Sequence, residues 1–196
     1  MAHAPYDQVA PRYDAAMRPL DRWFLSRWRA EALSLLPENS RILEVGAGTG
    51  LNFRFYPPGS RGVASEFSRE MLKLASLKSR PESLSLVQAD AETLPFVDAA
   101  FDAGLGTLTF CTIPSPAKAF REFHRVVKPG GRLVLLEHVR PSGLLGPVFD
   151  LFNVLTTRLG DHINRRTALY AGDAGWTVER VERRFLGIFN LIVCRA

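Results

Sequence analysis

The chain has 196 residues, enough for one domain with a full core and some decoration. Hydrophobic content of 46% and charged content of 23% are those of a globular protein, no apolar run approaches the roughly 20 residues that span a bilayer, and the first residues lack the layout of a signal peptide. Cys111 and Cys194 stand far apart, which argues against a disulfide framework or a cysteine-based zinc site, so a cytoplasmic location is expected, while a net charge of +5 favours an anionic partner.

Residues 1–40 read as a helical arm. Tyr13-Asp14 comes first, and Pro19 is expected to open a helix that runs to about Leu36, because proline suits a first turn and Pro37 marks a stop. Leu20, Phe24, Trp28, Ala32 and Leu35 then form an apolar stripe beside Arg12, Arg18, Arg22, Arg27 and Arg29. Two readings fit this pattern: a helix lying in a membrane interface, or one packed across the core with a solvated basic face.

The stretch Arg41 to Gly50 follows. Ile42, Leu43 and Val45 predict a strand buried on both faces, ending in a turn of three glycines, Gly46, Gly48 and Gly50. Glu44 within that run needs a cationic or hydrogen-bonding partner, which an ammonium-bearing nucleotide would supply. The spacing G-x-G-x-G brings the third glycine one residue too early for a dinucleotide fingerprint, which disfavours a nicotinamide enzyme.

A second strand, Gly62–Glu66, ends in an acid of the kind that holds ribose hydroxyls in nucleotide-binding α/β folds. Leu84–Asp90 is the third strand, leading into Asp90-Ala91-Glu92, and Phe101–Thr107 is the fourth. Ser115–Val127 is an amphipathic helix stopped by Lys128-Pro129-Gly130-Gly131, which feeds a fifth strand at Arg132–Glu137. Residues 143–159 are an apolar helix inserted before the sixth strand, and Phe185–Cys194 closes the sheet as a hairpin-like pair. His124 is read as structural, and the four histidines show no metal-ligand spacing, so no metal is expected.

Taken together, these motifs resemble the class I S-adenosylmethionine-dependent methyltransferases: E-x-G-x-G-x-G from Glu44, the acid Glu66, D-A-E-x-L-P-F from Asp90, and V-x-K-P-G-G-x-L from Val126. The resemblance implies an α/β fold, a Rossmann-like doubly wound, seven-stranded, mostly parallel sheet over residues 41–196 behind the helical arm. It implies S-adenosylmethionine as cofactor and S-adenosylhomocysteine as product. The cofactor-binding residues it implies are Tyr13, Glu44, Gly46, Gly48, Gly50, Asn52, Glu66, Phe67, Asp90, Ala91, Glu92, Gly106 and Thr107.

Three further patterns, F-Y-P-P-G from Phe55, L-E-H-V-R from Leu136 and G-D-H-x-N-R from Gly160, resemble the bacterial phosphatidylethanolamine N-methyltransferases. On that resemblance the expected reaction is N-methylation of phosphatidylethanolamine toward phosphatidylcholine, by an enzyme held peripherally at the inner face of the membrane. The partners would be the phospholipid and an anionic membrane surface. Tyr13 and His138 are the expected catalytic pair; His162, Arg165 and Arg166 would meet the phosphate, within an apolar insert at about 140–170. His162 is also a candidate base. An acceptor that is a quinone ring carbon or a small thiol stays open, and a basic nucleic-acid-binding module is the rival of another class, disfavoured because no basic-aromatic platform stands outside the arm.

Overall fold

The structure, a computed structural model, describes residues 5–141, 147, 150, 153, 162 and 164–196. The apolar insert expected at 143–159 therefore lies outside the described residues, apart from Pro147, Asp150 and Asn153.

Alternating burial builds the sheet. Strand β1 (Arg41–Val45) sends Leu43 and Val45 into one core and Ile42 into another on the opposite face. It pairs in parallel with β2 (Arg61–Glu66) on one side and β4 (Phe101–Thr107) on the other. Strand β3 (Leu84–Gln88) lies outside β2, and β5 (Val127–His138) outside β4. The last strand, β7 (Phe189–Arg195), inserts antiparallel between β5 and β6 (Thr177–Arg184), giving the order β3-β2-β1-β4-β5-β7-β6. Strand order reverses between β1 and β4, so a crevice opens at their carboxyl ends.

Helix α3 (Arg69–Ser76) follows β2, with Ser68 capping it through its hydroxyl to the Met71 amide. Helices α4 (Pro116–Val126) and α5 (Thr167–Asp173) cover one face, where Phe110, Phe120, Phe123 and Trp176 pack with Leu43, Leu133 and Leu135. The fifth strand starts five residues earlier than expected: Val127 pairs with Phe101, and Lys128-Pro129-Gly130-Gly131 forms the irregular stretch before regular pairing resumes at Arg132.

The arm departs from expectation. Helix α1 (Ala10–Leu20) begins well before Pro19, which sits inside it; a five-residue π turn, Asp21–Leu25, follows, and α2 (Ser26–Ser34) continues the path. Pro11 supplies the opening proline instead. Pro19 cannot donate to the preceding turn, and the widened turn directly after it rotates the helix face. As a result the buried face is Leu25, Arg29, Ala32, Leu33 and Leu36, and the core-packed part of the arm meets Ile42, Ala103, Val134 and Leu136 on the sheet. Of the expected stripe, only Ala32 is fully buried, whereas Leu20 and Phe24 are exposed. At the other end, Phe185–Ile188 is the turn of the β6–β7 hairpin, and β6 is a charged edge strand.

Candidate active site

At the point where strand order reverses, a cavity of about 580 Å³ opens above β1, β2 and β4, with the arm lying across it. The turn after β1 forms its floor. Gly46 has φ +72°, and a Cβ there would sit 2.2 Å from the Thr109 side chain; Gly48, at φ +57°, lines the cavity with nothing within 4 Å of its missing Cβ. The first glycine is thus demanded by packing. The second leaves the backbone bare to whatever occupies the cavity.

Glu66 ends β2 at the cavity wall. Its Oε2 accepts the Gly48 N–H at 2.8 Å and its Oε1 the Ser68 N–H at 2.8 Å. Burial raises its pKa, and these amides oppose that rise. Phe67, Asp90, Ala91, Glu92 and Thr107 also line the cavity, with Asp90 Oδ1 held by the Glu92 N–H at 2.8 Å. From the arm come Tyr6 and Tyr13, packed edge-on with ring centroids 6.2 Å apart. Burial raises the Tyr13 pKa, with Arg29 pulling the other way, so its phenol stays protonated near neutral pH. Two aspartates pin this segment down: Asp7 accepts from Ser68 Oγ at 2.5 Å, and Asp14 accepts from Thr49 Oγ1 and Lys78 Nζ, both at 2.6 Å.

The residue that the sequence reading misplaces is Arg29. Counted there among solvated arginines, it is 3% exposed and lines the cavity. Its Nη1 donates to Asn52 Oδ1 at 2.9 Å and to Thr107 Oγ1 at 2.8 Å, and its Nε lies 3.4 Å from Asp21 Oδ1. A signal existed: Arg29 falls at i, i+3, i+4, i+7 with Ala32, Leu33 and Leu36, the buried face of α2.

Several expected site residues stand elsewhere. Glu44 is fully buried and outside the cavity lining; its partners are internal, Asn52 Nδ2 at 2.6 Å and the Tyr56 hydroxyl at 2.6 Å, so no ligand ammonium is needed to satisfy it. Burial raises its pKa against those two hydrogen bonds. Asn52 spends its side chain on Glu44, Thr107 and Arg29. Gly50 and Gly106 are packing positions, where a Cβ would meet Phe53 at 2.4 Å and Leu135 at 3.1 Å. His138, at the end of β5, stacks edge-on with Phe189 at 6.4 Å rather than lining the cavity. Arg165 Nη2 donates to the Ile113 carbonyl at 2.9 Å, and Arg166 is the N-cap residue just before α5. His162 does line the cavity, held there by its backbone N–H to the Cys111 carbonyl at 2.9 Å. Among the described residues, no group of histidine, cysteine, aspartate or glutamate is arranged to hold a metal ion.

The cavity lining thus offers a carboxylate, a buried cation and a glycine-lined floor. Comparison with known proteins fits that layout. A methyltransferase domain model matches residues 43–135. A demethylmenaquinone methyltransferase of Deinococcus radiodurans is 38% identical over 181 residues, covering 87% of this chain and 71% of that protein. The chain belongs to the S-adenosylmethionine-dependent methyltransferases. A ubiquinone/menaquinone biosynthesis C-methyltransferase of Syntrophotalea carbinolica is 35% identical, over 71% of this chain and 62% of its own length. An S-adenosylmethionine-dependent methyltransferase from Thermotoga maritima shares the fold, with a TM-score of 0.74, 22% identity and 97% coverage of both chains.

The cofactor of this methyltransferase is S-adenosylmethionine. The expected N-methylation of phosphatidylethanolamine is overturned: relatives spanning most of the chain carry the names of quinone-pathway methyltransferases. The three short patterns that suggested a phospholipid do not outweigh similarity along most of the chain. Arg165 and Arg166, assigned to its phosphate, are also absent from the described cavity lining.

Proposed function

We propose that this enzyme methylates a ring carbon of a lipophilic quinone precursor in its reduced, quinol form. The observation that carries this reading is the 38% identity to a demethylmenaquinone methyltransferase over 87% of the chain. The cavity supports it: Leu51, Met71, Ile113 and Pro114 give apolar walls beside Tyr6 and Tyr13, which suit a flat ring.

In this reading Glu66 accepts from the ribose hydroxyls and Asp90 from the adenine amino group, and Arg29 donates to the carboxylate of the methionine tail. The bound cofactor supplies a methyl group on an electrophilic sulfonium sulfur. His162, the one imidazole among the described lining residues, takes the proton of the quinol hydroxyl, which raises electron density on the adjacent ring carbon. The proton later released from that carbon passes to solvent. Tyr13 donates its hydroxyl hydrogen to the second ring oxygen and fixes the ring plane, its raised pKa suiting a donor better than a base. The pinned arm keeps the reactants aligned.

The test is incubation with methyl-labelled S-adenosylmethionine and a short-chain demethylnaphthoquinol, followed by mass spectrometry of the extracted product. Label on a ring carbon is expected. A protein that binds S-adenosylhomocysteine yet transfers no label to the quinol would remove this acceptor.

A further inference from the structure

The β6–β7 hairpin ends in a turn that its residues resist. Phe185 and Leu186 have φ +46° and +59°, a conformation costly for bulky side chains, and they stand 55% and 77% exposed. Both unfavourable features at one tip, backbone strain and bare apolar surface, point to a partner.

That tip does not stand alone. Phe185 packs against Phe24 of the arm at 5.6 Å, and Trp23 beside Phe24 is 75% exposed, with Leu20 at 46% one turn earlier. From Phe24 the rings continue inward through Trp28 at 5.7 Å to Phe189 at 5.3 Å. Segments about 160 positions apart thus build one apolar ridge. The register of the sheet places it. Phe189 pairs with His138, the last residue of β5, so the tip projects from the carboxyl-end edge of the parallel strands, the edge that bears the cavity.

Its charge selects the partner. Arg22, Arg27 and Arg183 are exposed around the ridge. The acids of the same elements are already engaged by basic side chains: Asp14 with Lys78, Asp21 with Arg29 and Arg54, Glu31 with Arg184, Glu179 with Arg195, and Glu182 with Arg180 and Arg184. A tryptophan, phenylalanines and leucines beside exposed arginines match an anionic bilayer, with apolar side chains at the acyl boundary and guanidinium groups among the head groups.

We infer that Leu20, Trp23, Phe24, Phe185 and Leu186 form a docking surface that seats the protein on an anionic bilayer, cavity edge toward the lipid. The inference draws on the quinone reading for why a bilayer is approached, and its test lets each fail alone. The full chain is floated with vesicles of phosphatidylethanolamine and phosphatidylglycerol, and separately with phosphatidylcholine vesicles, as the parent protein and as the variants W23S/F185S/L186S and R22E/R27E.

The parent should bind the anionic vesicles and shift its tryptophan emission to the blue. The apolar variant should lose on the order of tenfold in affinity per large side chain removed. Each arginine reversed to glutamate should cost at least about fivefold, the cost of losing one positive charge at the surface, and neutral vesicles should bind weakly. Both variants should keep the parent's melting temperature, S-adenosylhomocysteine affinity and turnover of a water-soluble quinol. The inference is overturned if the parent binds no anionic vesicle, or if the apolar variant binds as the parent does. It is equally overturned if that variant changes a dimer into a monomer without losing vesicle binding, which would make the ridge a contact between copies. If vesicle binding behaves as described but no quinol is methylated, the docking surface stands and the acceptor falls.

Discussion

A guanidinium that is 3% exposed has given up nearly all of its water. Arg29 recovers part of that loss from Asn52 and Thr107, but its nearest carboxylate, Asp21, also accepts from Arg54 at 3.1 Å and is therefore shared. The uncompensated part of its charge faces the cavity, where a ligand carboxylate would complete the pairing. Replacing it as R29M should weaken S-adenosylhomocysteine binding by about tenfold to a hundredfold, since hydrogen bonds to charged groups contribute about 1.5–3 kcal/mol. Methylthioadenosine, which has no amino-acid carboxylate, should bind parent and variant alike in calorimetry. Equal loss of both ligands would reduce Arg29 to a packing role. Glu66 and Asp90 are legible in the sequence because strand ends are local features: an apolar run, then an acid. The burial of Arg29 is harder to read, because its spacing with Ala32, Leu33 and Leu36 competes with the Leu20-Phe24-Trp28 stripe, and the π turn between them decides which face is buried.

Among the elements, β4 and α4 meet closely at one glycine. A Cβ on Gly104 would lie 2.6 Å from Phe123 Cε2 and 3.1 Å from Leu133 Cδ1, and both of those side chains are fully buried. Phe123 cannot retreat, since it stacks with Phe110 at 6.4 Å and meets Trp176 edge-on at 6.3 Å. The substitution G104A should therefore destabilise the fold by about 1–3 kcal/mol, the usual cost of overpacking, seen as a lower urea midpoint with an unchanged slope. An unchanged midpoint would mean that the sheet and α4 can part without cost. The same elements mark what sequence can disclose. Strands β1, β2 and β4 declare themselves by short apolar runs and α4 by its apolar face, all of them local signals. Strand β6 does not, because Thr177-Val-Glu-Arg-Val-Glu-Arg-Arg184 is an edge strand whose side chains mostly meet water and other charges. The partner of Glu44 also stays hidden: Asn52 and Tyr56 are close in sequence, yet only the glycine turn brings them back onto β1.

At the scale of the whole molecule, ion pairs tie distant elements together and set its response to acid. Glu31 on α2 receives two hydrogen bonds from Arg184 on β6, at 2.8 and 2.6 Å. Asp102 on β4 receives Lys128 Nζ from β5 at 2.5 Å and the Arg41 N–H from β1 at 2.7 Å. In each case the hydrogen bond from the basic side chain is the main cause holding the carboxyl below its ordinary value. A carboxyl group lowered in the folded state contributes stability that is complete above its unfolded pKa, about 4. That contribution is lost as pH falls through the folded value. Glu44 and Glu66 act with the opposite sign: burial raises them, so their folded forms favour the proton, and stability declines as pH rises from the ordinary value through the raised one. The two sets can be separated by one variant. D102N should melt slightly below the parent near pH 7, by no more than a partly exposed pair contributes, about 0–1 kcal/mol. The gap should then close as pH falls below about 4, where protonated Asp102 also loses its ionic partners. Melting curves recorded across that range decide the matter, because a gap that stays constant into acid would mean that Asp102 acts through the geometry of its hydrogen bonds to β1 and β5 and not through its charge.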